Sequence, residues 1–223
     1  VFADGDYTSL NNFIPNFVIE VDGEVDPSND IFGCTDENAS NFNIVANIDD
    51  FSCIYSQNID INEGWSLIST YIQADNLDIS IVFSPLIDYI VILKNNEGSA
   101  YLPEWNFNGI GDMIAGQGYQ IKLNSYQQLT IFGQILLPEL TPIDLNQGWN
   151  LIAYLRQSPA DVVDVFQDML SNNSLVIVKD SGGNAYLPEW AFNGIGDMYS
   201  GNAYQIKTNE ALTLIYLSNY LDY

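Results

Sequence analysis

The chain contains no histidine, and its five Lys and Arg residues face 29 Asp and Glu, for a formal net charge of −24. Without histidine, neither a Ser-His-Asp triad nor a Cys-His pair can be assembled. A surface so acidic repels phosphate backbones and anionic lipid headgroups, which argues against nucleic-acid and membrane-surface partners. It also repels itself, and it needs ionic strength or bound cations to fold compactly. Extracellular or marine surroundings would supply both.

Long apolar runs are missing too. No stretch of about 18 apolar residues exists, so no membrane insertion is expected, and Val1 does not open a signal peptide, as expected of a mature or trimmed product. Cysteine is scarce. Cys34 and Cys53 close one short polar loop, and in an acidic, secreted-looking chain that spacing points to a disulfide before a metal or redox site. Such a bridge is worth roughly 3 kcal/mol in the chain-entropy model.

Apolar residues, by contrast, make up 47% of the 223 and aromatics 13%, which is enough for one large core or two smaller ones. Charge is unevenly spread: residues 1–93 hold sixteen Asp or Glu, and the first cation is Lys94.

Much of the remainder is said twice. AYLPEWNFNGIGDM at 100–113 returns as AYLPEWAFNGIGDM at 185–198, with Asn106 replaced by Ala191. INEGWSLI at 61–68 answers LNQGWNLI at 145–152, IVILK at 90–94 answers LVIVK at 175–179, and GYQIK at 118–122 answers AYQIK at 203–207. The offset is 84 residues for the GW block, 83 for the helical block that follows it and 85 for the others, so the changes fall between matched blocks, where loops absorb them.

One block of each copy has helical spacing. Ser158, Pro159 and Asp161 suggest an N-cap, an N1 proline and a first-turn acid ahead of Val162, Val165, Phe166, Met169 and Leu170. In the first copy Asp75 is the expected cap and Asp78 the first-turn acid, before Ile79, Val82, Phe83, Leu86 and Ile87; Pro85 is expected to shorten or kink this helix. The remaining blocks read as strands, with hairpin composition in NNEGS and DSGGN. The expected fold is mainly β, a β-rich α+β arrangement of two tandem pseudo-symmetric sheet-plus-short-helix repeats behind a small disulfide loop. Expected boundaries are an extended segment at 1–31, the disulfide-closed acidic loop at 32–56, repeat unit 1 at 57–140 and repeat unit 2 at 141–223.

Within the repeated motif, Pro103 should end a strand, and Asn108-Gly109 and Gly111 supply a tight turn. The expectation is a loop folded over the end of its own sheet, with Trp105 and Trp190 packed in the core. Lys94, Lys122, Lys179 and Lys207 form two repeat-related pairs, for which Glu104, Asp112, Glu189 and Asp197 are the expected ion-pair partners. A sharper alternative makes Trp105, Asn108 and Asp112, with Trp190, Asn193 and Asp197, two non-catalytic glycan-binding loops. A glycosidase pair of Glu104 and Asp112 is the most distant reading, since nothing else marks a cleft.

Inside the cysteine loop, Asp36, Asn38, Asn41, Asn43, Asp49 and Asp50 gather oxygen donors suited to a hard cation such as calcium. The competing explanation is that these residues cap turns. The segment is no EF-hand, because the Asp36 register lacks the glycine and the terminal glutamate.

GCTDENASNFNIVANIDDFSC at 33–53 resembles the short GCTD…DDGSC repeats of large secreted and cell-surface proteins of Bacteroidetes-type marine bacteria, which recur in some marine viruses. GWSLIS, IVILKNNEGSAYLPEWNFNGIGD and GYQIK are similar to modules of the same proteins. Phe51 stands where that pattern often has glycine. The resemblance implies an extracellular, cell-surface or virion-surface setting and a structural or adhesive class, and it implies no reaction. The expected function is therefore a non-enzymatic module of a larger filament, fibre or coat, whose partners are other copies of itself or other surface proteins. FVIEVDGEV at 17–25 is the candidate for strand addition to a neighbour.

Overall fold

The computed structural model describes residues 29–219. The proposed strand at 17–25 lies outside them. Two short strands, β1 (Phe32–Gly33) and β2 (Ile48–Asp49), pair in parallel within the cysteine loop, and Cys34 and Cys53 are bonded. That loop buries only Cys34, Ala39 and Cys53, with Tyr55 packed beside them, so the disulfide takes the place of a core.

The next elements are β3 (Tyr55–Ile61), β4 (Gly64–Ile68), β5 (Ile72–Ala74), α1 (Ile79–Val82), β6 (Ile90–Lys94), β7 (Ala100–Leu102), β8 (Phe107–Asn108), β9 (Tyr119–Leu123) and β10 (Gln127–Ile135). They form a five-stranded antiparallel sheet in the order β4-β9-β6-β7-β8, backed by a three-stranded sheet β3-β10-β5. The second unit follows with β11 (Ile143–Leu145), β12 (Gly148–Ala153), β13 (Ala160–Asp161), α2 (Val162–Val165), α3 (Gln167–Ser171), β14 (Leu175–Lys179), β15 (Ala185–Leu187), β16 (Phe192–Asn193), β17 (Asp197–Met198), β18 (Ala203–Thr208) and β19 (Leu212–Leu214). Its sheet β12-β18-β14-β15-β16 repeats the first one strand for strand. The fold is mainly β, as the repeats predict.

Strand alternation decides which face is buried. Along β9, Tyr119, Ile121 and Leu123 enter the core while Gln120 and Lys122 face away, a period of two that one buried face requires. Each unit has its own core. One gathers Ile79, Phe83, Leu93, Tyr119 and Ile121, and the other Val162, Phe166, Val178, Tyr204 and Ile206. The backing strand β10 crosses β5 so closely at Gly133 that a β-carbon there would sit 1.9 Å from the Gln73 carbonyl oxygen.

The helices depart from expectation. Their caps are Asp78 and Asp161, whose carboxylates accept from the backbone N–H of Ser80 and Val163, and not Asp75 or Ser158. The reason lies in pairing upstream. Ile79 N–H donates to Gly111 O and Val162 N–H to Gly196 O, so the chain stays extended against the repeated loop until the cap. Ser158 accepts from Arg156 Nη2 instead. The single helix expected from Val162 to Leu170 is two, α2 and α3, that meet at Phe166; in the first unit Pro85 helps end α1 and opens a 3-10 turn, Ser84–Leu86.

The two units meet through reciprocal contacts. Leu67 N–H donates to Ser181 Oγ and its counterpart Leu151 N–H to Asn96 Oδ1; Ser69 N–H donates to Gly201 O and its counterpart Ala153 N–H to Gly116 O. The reciprocity is that of a local two-fold axis, an isologous interface inside one chain. Leu67, Leu151 and Ala203 form a small buried cluster at this junction.

Candidate functional site

The repeated motif is built identically in both units. β7 ends at Leu102, and Pro103 starts a 3-10 turn that closes at Asn106 with φ 48°; the second copy closes at Ala191 with the same φ. Asn108 then organises the turn. Its Oδ1 accepts from Ile110 N–H at 3.1 Å and Gly111 N–H at 2.9 Å, while Nδ2 donates to Asp78 at 3.2 Å. Asn193 does the same with Ile195, Gly196 and Asp161. Asp78 and Asp161 therefore cap a helix and hold the loop at once, and the hydrogen bonds from Ser80 and Asn108 keep the Asp78 carboxyl below its ordinary range.

This corrects the expected placement of the tryptophans. Trp105 and Trp190 are each 72% exposed, and Phe107 and Phe192 stand out beside them. The loop closes by polar bonds from Asn108 and Asn193 to its own backbone, so it has no need of the indole as a lid. Asp112 and Asp197 pair through their backbones with Asp78 and Asp161, and their side chains are exposed, as are Glu104 and Glu189.

The lysines also differ from expectation. No ion pair among the described residues joins them to Glu104, Asp112, Glu189 or Asp197. Lys94 and Lys122 instead hold their Nζ atoms 5.6 and 5.9 Å from the Trp65 ring centre, and Lys179 lies 5.2 Å from that of Trp149. Strand register is the cause: Trp65 is opposite Lys122 on β4 and β9, Trp149 opposite Lys207 on β12 and β18, and all four side chains leave the outer face. The sequence marks these lysines as matched pairs but suggests no role for Trp65 or Trp149; their position one strand away from a matched lysine was the available signal.

In the cysteine loop the candidate cation ligands serve the backbone. Asp36 Oδ1 accepts from Asn38 N–H, Asn43 from Val45, Asp49 from Phe51 and Asp50 from Ser52. Asn41 bridges Ser52 and Ile54, and Asp36 Oδ2 accepts from the Tyr55 hydroxyl at 2.7 Å. Those bonds lower the pKa of Asp36, chiefly through Asn38, and of Asp50, chiefly through Ser52. Among the described residues no three Asp, Glu, Cys or His side chains converge as a metal would require.

Comparison with known proteins found no matching family model, and no match among curated proteins or solved structures.

Proposed function

We propose that the chain is a non-enzymatic extracellular module with a structural or adhesive role in a larger surface assembly, held to other copies of itself or to other surface proteins. The observation that carries this reading is the pair of matched, internally bonded loops, each presenting a tryptophan and a phenylalanine to solvent. Rigid exposed aromatics give contact area at low entropic cost, and they are enriched where proteins bind. The disulfide suits an oxidising compartment, and no helix among the described residues is long and apolar enough to cross a membrane. Sedimentation of the purified chain over rising concentration tests the reading. Self-association that the double variant Trp105→Ser, Trp190→Ser weakens would support it; a wild-type chain that stays monomeric and adheres to no surface would overturn it.

The exposure of both indoles also favours a second reading, a glycan-binding module that uses the two loops. Glycan-array binding lost in the same double variant is the expected result. Calcium binding by residues 33–53 enters as a separate proposal, tested by melting temperature with millimolar calcium and with chelator. A rise supports a cation site, and no change leaves the Asx residues as turn formers.

A further inference from the structure

The outer faces of the two main sheets meet at the local two-fold axis, and a cleft of about 240 Å³ opens there. Lys94, Asn95, Asn96, Gln120, Trp149 and Gln205 line it. No acid is among its lining residues, although 29 of the 223 residues are acidic. Trp149 is 49% exposed, with Lys179 over its ring at 5.2 Å from the centre.

The cleft keeps several hydrogen-bonding groups unused. Asn95 Oδ1 accepts from Ser99 N–H at 2.8 Å and Asn96 Oδ1 from Leu151 N–H at 2.7 Å, which fixes both side chains. No described residue takes a bond from either Nδ2, nor from the side-chain amides of Gln120 and Gln205. Two oriented donors and two complete amides thus surround an indole, a mixture of apolar platform and paired donors and acceptors that suits a ring carrying several hydroxyls. Lys94, with no carboxylate partner among the described residues, adds a positive charge at the rim.

We propose that this cleft binds a saccharide bearing a carboxylate or sulfate, with a sugar ring against Trp149, its hydroxyls on Asn95, Asn96, Gln120 and Gln205, and its anionic group on Lys94. The site is separate from the repeated loops and does not depend on the adhesive reading. Its two-fold mate has Asp180 and Ser181 where this side has Asn95 and Asn96, so the negative charge of Asp180 and the loss of two amides disfavour the same ligand there. The net charge of −24 repels an anion at long range, but salt at about 0.5 M shortens the Debye length to roughly 4 Å and leaves the local contacts in force. Binding should therefore strengthen as salt rises from low values, opposite to the usual trend for a polyanion.

Calorimetric titration of the full chain at about 0.5 M salt, with a tetrasaccharide of uronic acid, a sulfated tetrasaccharide and a neutral glucose tetrasaccharide, tests this. We expect one or both anionic sugars to bind at least about fivefold more tightly than the neutral one, and which of them binds identifies the anionic group. Lys94→Gln should abolish that preference, and Gln205→Ala, which removes an amide bonded to no described residue, should weaken binding severalfold with an unchanged melting temperature. Trp105→Ser with Trp190→Ser should leave it unaltered. The proposal is overturned by three results: no anionic sugar binds, the neutral sugar binds equally well, or binding is lost with the loop tryptophans and kept in Lys94→Gln and Gln205→Ala. It is equally overturned if those two variants change only self-association, which would make the cleft a contact for a second copy.

Discussion

Gly118 and Ala203 occupy the same position in the two units and face each other across the local two-fold axis: a β-carbon on Gly118 would lie 2.6 Å from that of Ala203 and 2.8 Å from the Ile152 carbonyl oxygen. One of the two matched residues must lack a side chain for the units to close, and the repeat is broken there from Ala to Gly.

Gly118→Ala should therefore destabilise the chain by about 1 to 3 kcal/mol, because overpacking at a backbone contact can be relieved only by separating the units. Ala203→Gly in the same molecule should restore part of that loss by removing the colliding methyl. Denaturant melts of the two single variants and the double variant give the coupling directly. An additive result would show that Gly118 and Ala203 do not share the contact.

The single difference between the two motifs also falls at a constrained place. Asn106 and Ala191 both adopt φ 48°, in the left-handed region that Asn tolerates better than Ala. Ala191→Asn should raise stability by about 0.5 to 1 kcal/mol, and Asn106→Ala should lower it by a similar amount. Phe51, at φ 61° and 86% exposed, presents the same strain where the similar cysteine-loop pattern often has glycine. Phe51→Gly should be neutral or stabilising by up to about 1 kcal/mol, since the relief is offset by the greater freedom of glycine in the unfolded chain. Thermal melts of these variants suffice.

Alkaline pH should loosen both cores together. Burial pushes the Tyr119 hydroxyl up to about 12, and it raises its counterpart Tyr204 as well. Each hydroxyl accepts a backbone N–H, from Ile114 and Tyr199 respectively. A folded-state pKa above the unfolded value of 10.0 means that the contribution is fully present below pH 10 and is lost as pH rises toward 12, about 3 kcal/mol for Tyr119. Tyrosinate absorbance and circular dichroism should change in the same pH interval. Tyr119→Phe should flatten the unfolding profile there.

Acid acts on the loop anchor with the opposite sign. Asp78 has its pKa lowered from 3.8 by Ser80, with a smaller part from Asn108, so its contribution is complete above that value and disappears as pH falls through the lower folded-state one. The difference in melting temperature between the wild type and Asp78→Asn should be largest near neutrality and shrink as pH falls below 3.8 and the depressed carboxylate takes up its proton. A constant difference over that range would mean that the charge of Asp78 plays no part.

The duplicated blocks make the mainly β character, the two-unit order and the disulfide legible in the sequence, because strand alternation, turn residues and cysteine spacing are local signals. The boundary of 57 falls two residues inside β3, which begins at Tyr55, since nothing local separates the cysteine loop from that strand. Both helix caps lie three residues later than residue type suggests. Ser158 and Asp75 are acceptable caps by residue type, but Ile79 and Val162 are committed to Gly111 and Gly196, partners 32 and 34 positions away.

What the sequence determined by itself is whatever depends on neighbours along the chain: two similar sheets, their hairpins, a cysteine-closed acidic segment and a strongly negative surface. What only the tertiary structure decided is which side of each sheet a residue occupies and what meets it there. Strand register carried the lysines to Trp65 and Trp149 instead of to carboxylates, side-chain bonds from Asn108 and Asn193 left the loop tryptophans in solvent, and the two-fold junction gathered Lys94, Gln120, Trp149 and Gln205 from both units around one cleft. These contacts join residues far apart in the chain, and their energies come from register and packing that no local pattern encodes.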